Sequence, residues 1–182
     1  MPPKYVKTIC EEIFYEYAKL MSRSAFNGKL ERPFITSKTF ALKEGKIKMS
    51  DTIREWQREH ALPNECVFCG STENLTTDHL IPQSRGGSGS GDNLVLSCQS
   101  CNSSRNDKGV FEWLGLKEKD QLHRLVAGKY LKELYELHSA KGTLDISINE
   151  LHSLCTICRN PELCKKWNTV EKLTCFCLES IF

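Results

Sequence analysis

Apolar side chains recur at helical spacing in two stretches of the chain. Val6, Ile9, Ile13, Phe14, Tyr17 and Leu20 fall on one side of residues 5–21, which predicts an amphipathic helix packed on a core. Leu122, Val126, Tyr130, Leu134 and Leu137 do the same over residues 119–141, and Gly142 supplies a stop. Ser50 is a good N-cap for a further helix through Leu62, carrying Ile53 and Trp56 and followed by Pro63. Residues 23–49 lack a clear period; Asn27-Gly28 and Glu44-Gly45 read as turns joining short strands. Ser147 to Glu150 form a capping box that opens a short helix toward Cys155. No repeat is visible, and the low-complexity run from Gly86 to Gly91 reads as a flexible loop.

Composition changes this picture little, since 40% hydrophobic and 26% charged residues describe an ordinary globular chain. A net charge of +2 says little about partners, but its distribution says more. Lys19, Arg23, Lys29, Arg32, Lys38, Lys43, Lys46 and Lys48 face only Glu31 and Glu44 in their stretch, so this segment is a candidate to meet phosphates. No apolar run reaches membrane-spanning length, and Met1-Pro2-Pro3-Lys4 does not open a signal peptide. The expected setting is a reducing cytoplasm with no membrane partner. There, paired cysteines read as metal ligands rather than disulfides.

The chain holds ten cysteines, and their spacing carries the chemistry. Cys66-Val-Phe-Cys69 and Cys98-Gln-Ser-Cys101 are two Cys-x-x-Cys knuckles. Two intervening residues let a backbone turn aim both sulfurs at one ion, and two such pairs fill a tetrahedral shell. Four protein ligands leave no open position, so the expected ion is structural zinc. Twenty-eight residues separate the knuckles, so the ion clasps a sizeable insert.

Inside that clasp stand Asp78-His79, Pro82, Gly86-Gly87, Asn93-Leu94 and then Asn102 directly after the last cysteine. This order resembles the zinc-bearing branch of the HNH endonuclease family over residues 66 to about 109. The resemblance implies a ββα-metal unit, with a first strand ending over Leu75–His79, a second over Leu94–Ser97, and a helix from about Asn102 to Trp113. It also implies that Asn93 braces the loop and orients the histidine.

Hydrolysing a phosphodiester needs an activated water, charge neutralisation, and help for the departing oxygen. An imidazole titrates near neutrality, so His79 suits a general base. Asp78 and Asn102 offer oxygen ligands for one hard cation, Mg2+ or Mn2+, which serves as a Lewis acid. The family often has histidine where this chain has Asn102, and Lys-Gly where it has Arg105-Asn106. Asn106 follows Asn102 by one helical turn, where colicin-type relatives place a second histidine ligand, so Asn106 is a further candidate. Arg105 and Lys108 are expected at phosphates rather than metal. His60, His123, His138 and His152 have no partner at motif spacing.

The expected class is therefore α+β, with a flank over 1–62 for target binding or dimerisation and a nuclease core over 63–114. A helical region over 115–154 and a Cys-rich tail over 155–182 complete it. The expected function is a metal-dependent endonuclease acting on double-stranded DNA, of restriction type, with a homing or phage-encoded nuclease as alternative. A zinc-held DNA-binding module without catalysis is the rival; pure binding needs neither a base nor a second metal site.

In the tail, Cys155, Cys158, Cys164, Cys175 and Cys177 crowd five thiols into 23 residues. A second structural zinc needs four of them, with either Cys175 or Cys177 as the last; four thiolates also suit an iron–sulfur cluster. So short a segment needs a staple, and we expect zinc. Metal analysis of the purified protein should find two zinc atoms per chain. One zinc would mean that the tail thiols pack as small hydrophobes, and iron with a brown colour would mean the cluster.

Overall fold

The computed structural model describes residues 3–49, 64–114, 124–150, Leu178 and Phe182. The expected helix over 50–62, the start of the one over 119–141, and all five tail cysteines lie outside the described residues. The chain divides into two compact units, one made of Met1–Ile47 with Leu134–Phe182 and the other of Lys48–Glu133. The first unit is discontinuous along the chain, since residues 7–10 pair with residues 144–148.

That pairing is visible at the start of helix α1 (Ile9–Ala25). The Thr8 hydroxyl caps it by accepting from Glu11 N at 3.3 Å, and Glu11 and Glu12 complement the positive end of the helix. Two further helix N–H groups are satisfied from far along the chain: Ile9 N donates to Ile146 O at 3.1 Å and Cys10 N to Leu144 O at 3.0 Å. Thr8 and Ser147 form an antiparallel bridge. The helix thus starts later than the apolar pattern alone suggests, because residues 7 and 8 are engaged with 147 and 148. Ile9, Ile13, Tyr17 and Leu20 form its buried stripe.

Residues 32–43 correct the expectation of short strands: Arg32–Lys43 is a helix, α2, with Pro33 in its first turn. Ile35, Thr39 and Leu42 are buried at helical spacing, and α2 packs on α1. The pattern was hidden because one of its three inward positions is threonine, whose hydroxyl donates to Ile35 O at 2.8 Å instead of staying exposed. Several basic residues of this stretch are held by carboxylates, among them Lys19 by Glu16, Lys43 by Glu11 and Lys46 by Glu44.

The second unit contains an antiparallel hairpin of β1 (Leu75–His79) and β2 (Leu94–Cys98), with Leu75 opposite Cys98 and His79 opposite Leu94. Two short helices follow, α3 (Gln99–Arg105) and α4 (Val110–Leu114). The single helix expected over 102–113 is thus broken. Asn106 takes a positive φ of 53° with ψ −127°, and it turns the chain away. Helix α5 (Arg124–Ala140) contributes residues to both units and ends before Gly142, whose φ is 66°. This α+β arrangement of a hairpin and flanking helices, beside four clustered cysteines, is the expected ββα-metal core. Among the described residues no helix is long and apolar enough to cross a membrane.

His138 on α5 is fully buried in the first unit. Its Nε2 lies 3.1 Å from Leu178 O, so that nitrogen carries the proton, and Nδ1 lies 2.8 Å from the Thr143 hydroxyl, which donates to His138 O at 3.2 Å. Burial drives its pKa down from 6.5 to about 4, against the pull of the Leu178 carbonyl. The unfolded chain therefore takes up this proton well before the native one does. Stability should be full above pH ~6.5 and fall by on the order of 3 kcal/mol as pH drops to ~4. Thermal unfolding at pH 7 and pH 4.5 checks this: His138→Gln should lose much less between the two than the wild type, and equal losses would contradict the account.

Candidate metal centre and nuclease site

The first knuckle is a tight turn. Gly70 N donates to Cys66 O at 2.8 Å, with Gly70 at φ 74°, while Val67 N reaches back to Leu96 O of β2 at 3.0 Å. The second knuckle is the start of α3, where Cys98 is the N-cap and its sulfur accepts from Cys101 N at 3.4 Å. Strand end and helix start thereby carry one cysteine pair against the turn that carries the other.

All four sulfurs, of Cys66, Cys69, Cys98 and Cys101, lie within 4.8 Å of one another, and Cys69 Sγ is 3.7 Å from Cys98 Sγ. Tetrahedral zinc with bonds of ~2.3 Å requires sulfurs ~3.8 Å apart, so the donor set fits that ion. Burial and the neighbouring thiols push Cys101 up, whereas at Cys66 burial is outweighed by backbone N–H groups that hold it at about 7. With four protein ligands the site is structural.

Between the knuckles the chain loops from Leu80 to Asn93, and Asn93 ties the loop shut. Fully buried, it accepts from Ile81 N at 2.8 Å and donates to Ile81 O at 2.9 Å and Ser88 O at 2.7 Å. Leu80 N adds a bond to Asn93 O at 2.8 Å. Only glycine fits at 87, since a Cβ there would stand 1.9 Å from Ile81 O. Helix α5 holds the same region from its polar side chains: Lys129 donates to Leu94 O at 2.6 Å, Glu133 accepts from Ser88 N at 2.6 Å, and Lys132 pairs with Asp92 at 2.9 Å. Periodicity did not reveal Lys129 and Glu133, because charged residues beside an apolar stripe normally face water.

Asp78 and His79 close β1. Successive strand side chains point to opposite faces, so Asp78 turns into the unit, only 4% exposed, while the His79 ring is half-buried. Helix α3 packs on both strands and carries Asn102, also half-buried. Among the described residues neither the His79 ring nor the Asn102 amide makes a hydrogen bond.

Arg105 overturns the expectation of a phosphate contact. It is 2% exposed and grips both oxygens of Asp78, with Nε at 3.1 Å from Oδ2 and Nη2 on Oδ1. Its remaining N–H groups donate to the carbonyls of His79, Leu80 and Lys108. Asn106 also departs from its reading: it lies past the helix end, exposed, so it no longer shares a helical face with Asn102. Lys108 is exposed. Arg85, in the loop, pairs with Glu112 of α4 at 2.6 Å, and Phe68 of the first knuckle meets Trp113 edge-on at 5.1 Å.

A hairpin ending in Asp-His, a helix bearing asparagine, and a four-cysteine clasp define a zinc-held ββα-metal nuclease core. Residues 66–108 match the model of the HNH endonuclease family, so this segment is an HNH endonuclease domain. The cysteine cluster fits the zinc-bearing branch of that family. No curated protein and no solved structure matches the chain.

The clasp supplies folding energy directly, on the order of 10–16 kcal/mol in small zinc peptides. Cys98→Ser should therefore lose its zinc and the cooperative transition of the second unit. A variant with native-like circular dichroism and an unchanged melting transition without zinc would contradict this.

Proposed function

We propose that the HNH domain cleaves double-stranded DNA, with His79 as general base and Asp78 and Asn102 as ligands to one Mg2+ or Mn2+ ion. The observation that supports this most is the pairing of two uncommitted groups, the His79 ring and the Asn102 amide, with a fixed carboxylate at the end of β1. A carboxylate has about four acceptor positions, and Arg105 takes two at Asp78, leaving capacity for a cation. The donor set is all oxygen, which suits a hard ion and not zinc.

His79 would take the proton from the attacking water, and the residue is half-buried rather than sealed from solvent. The bound ion would supply Lewis-acid stabilisation of the phosphate and the leaving oxygen. Asn93 would act on His79 indirectly, by fixing the loop that leaves β1 directly after it. Lys108 remains the exposed candidate for a phosphate contact, whereas Asn106 has lost the geometric reason for ligation. The biological setting we propose is restriction-type cleavage.

His79→Ala should keep its zinc and its DNA binding but cut ~10²–10⁴-fold more slowly, the usual effect of losing a general base. Asp78→Asn and Asn102→Ala should shift the Mg2+ dependence of cleavage to higher concentration. Near-normal turnover by His79→Ala would remove the base assignment, and an unchanged metal titration in both ligand variants would put the ion elsewhere.

A further inference from the structure

Arg105 is the largest fully buried side chain among the described residues, and its guanidinium is spent entirely on the protein itself. A buried cation is costly unless fully paired, and here the pairing is thorough. The planar fork meets both oxygens of Asp78, whose side chain is itself nearly inaccessible. The same group accepts no substrate-facing role, since its other N–H groups reach the carbonyls of His79, of Leu80 at 3.5 Å and of Lys108 at 2.8 Å.

The contacts have a particular layout. Asp78, His79 and Leu80 are the last two residues of β1 and the first beyond it, and Lys108 follows the break after α3. Arg105 stands at the C-terminal end of α3, three residues after Asn102. One side chain therefore fixes the carboxylate of Asp78, the backbone that carries His79, and the helix that carries Asn102. Each of those three residues has a part in the proposed reaction, and Arg105 touches or carries all of them while itself facing inward.

We infer that Arg105 is a positioning residue for the catalytic ion: it holds the Asp78 carboxylate in one rotamer and leaves its remaining acceptor positions for the ion. The inference rests on the assignment of Asp78 as an ion ligand. A lysine cannot replace it, because an ammonium is a single point donor and lacks the fork that meets two carboxylate oxygens and several carbonyls at once. Groups that orient a metal ligand from behind typically change metal affinity ~10–100-fold when removed.

The test uses the zinc-loaded full-length protein and Mn2+ as the probe, with binding read by electron paramagnetic resonance in the absence of DNA. Arg105→Lys should retain zinc and bind Mn2+ ~10–100-fold more weakly, and saturating Mn2+ should restore much of its DNA cleavage. A second measurement needs no variant: the Arg105 Nε–H resonance of the wild type should shift on Mg2+ titration with the midpoint of ion binding. Wild-type Mn2+ affinity in a folded Arg105→Lys would overturn the inference. If that variant fails to fold, an Nε–H resonance indifferent to Mg2+ overturns it. Asp78→Asn separates the two levels: if it binds Mn2+ as tightly as the wild type, the ion assignment falls and the inference with it. If Asp78→Asn weakens binding and Arg105→Lys does not, only the role of Arg105 falls.

Discussion

Everything in the nuclease unit hangs on bringing two cysteine pairs to one point. A hairpin of two five-residue strands buries too little apolar surface to hold itself together in water. A zinc ion held by the four cysteines would cross-link its ends instead: Cys98 finishes β2 and begins α3, Cys101 sits in the first turn of that helix, and the turn bearing Cys66 and Cys69 bonds back to β2 through Val67. The clasp thereby fixes where α3 starts. Because α3 starts there, Arg105 comes to lie against the end of β1.

From that constraint the site follows by short-range bonding. Asn93 closes the long loop by satisfying backbone groups of Ile81 and Ser88 that would otherwise be buried without partners. Arg105 then joins strand end to helix end. Charged side chains of α5, Lys129 and Glu133, are spent on the same hairpin and loop, an unusual use of buried charge in so small a unit. Stability and function share residues here: the groups that hold the hairpin are the neighbours of those proposed to react.

The parts that were legible in the sequence are those encoded by spacing. Cys-x-x-Cys pairs, Asp78-His79 and Asn93-Leu94 have chemical meanings that survive without coordinates, and the strands fell where the motif put them. Direction and partnership were not legible. Arg105 reads as a basic residue beside a nuclease motif, and only the packing of α3 on β1 shows that it faces Asp78. The positive-φ turn at Asn106 broke a helix whose composition gave no warning. Helix α2 was hidden by an inward-facing threonine, and the discontinuous first unit depends on bonds between residues 8–10 and 144–147, a separation that no local pattern reveals.

Whether the zinc-held hairpin presents a separate, hard-cation-dependent centre that cuts DNA is tested most directly with the zinc-loaded protein on supercoiled plasmid, after loosely bound ions have been removed. The account predicts no cutting with zinc alone, and nicked or linear product when Mg2+ or Mn2+ is added. Cutting that proceeds equally without any added cation, or its absence at every Mg2+ and Mn2+ concentration, would contradict it.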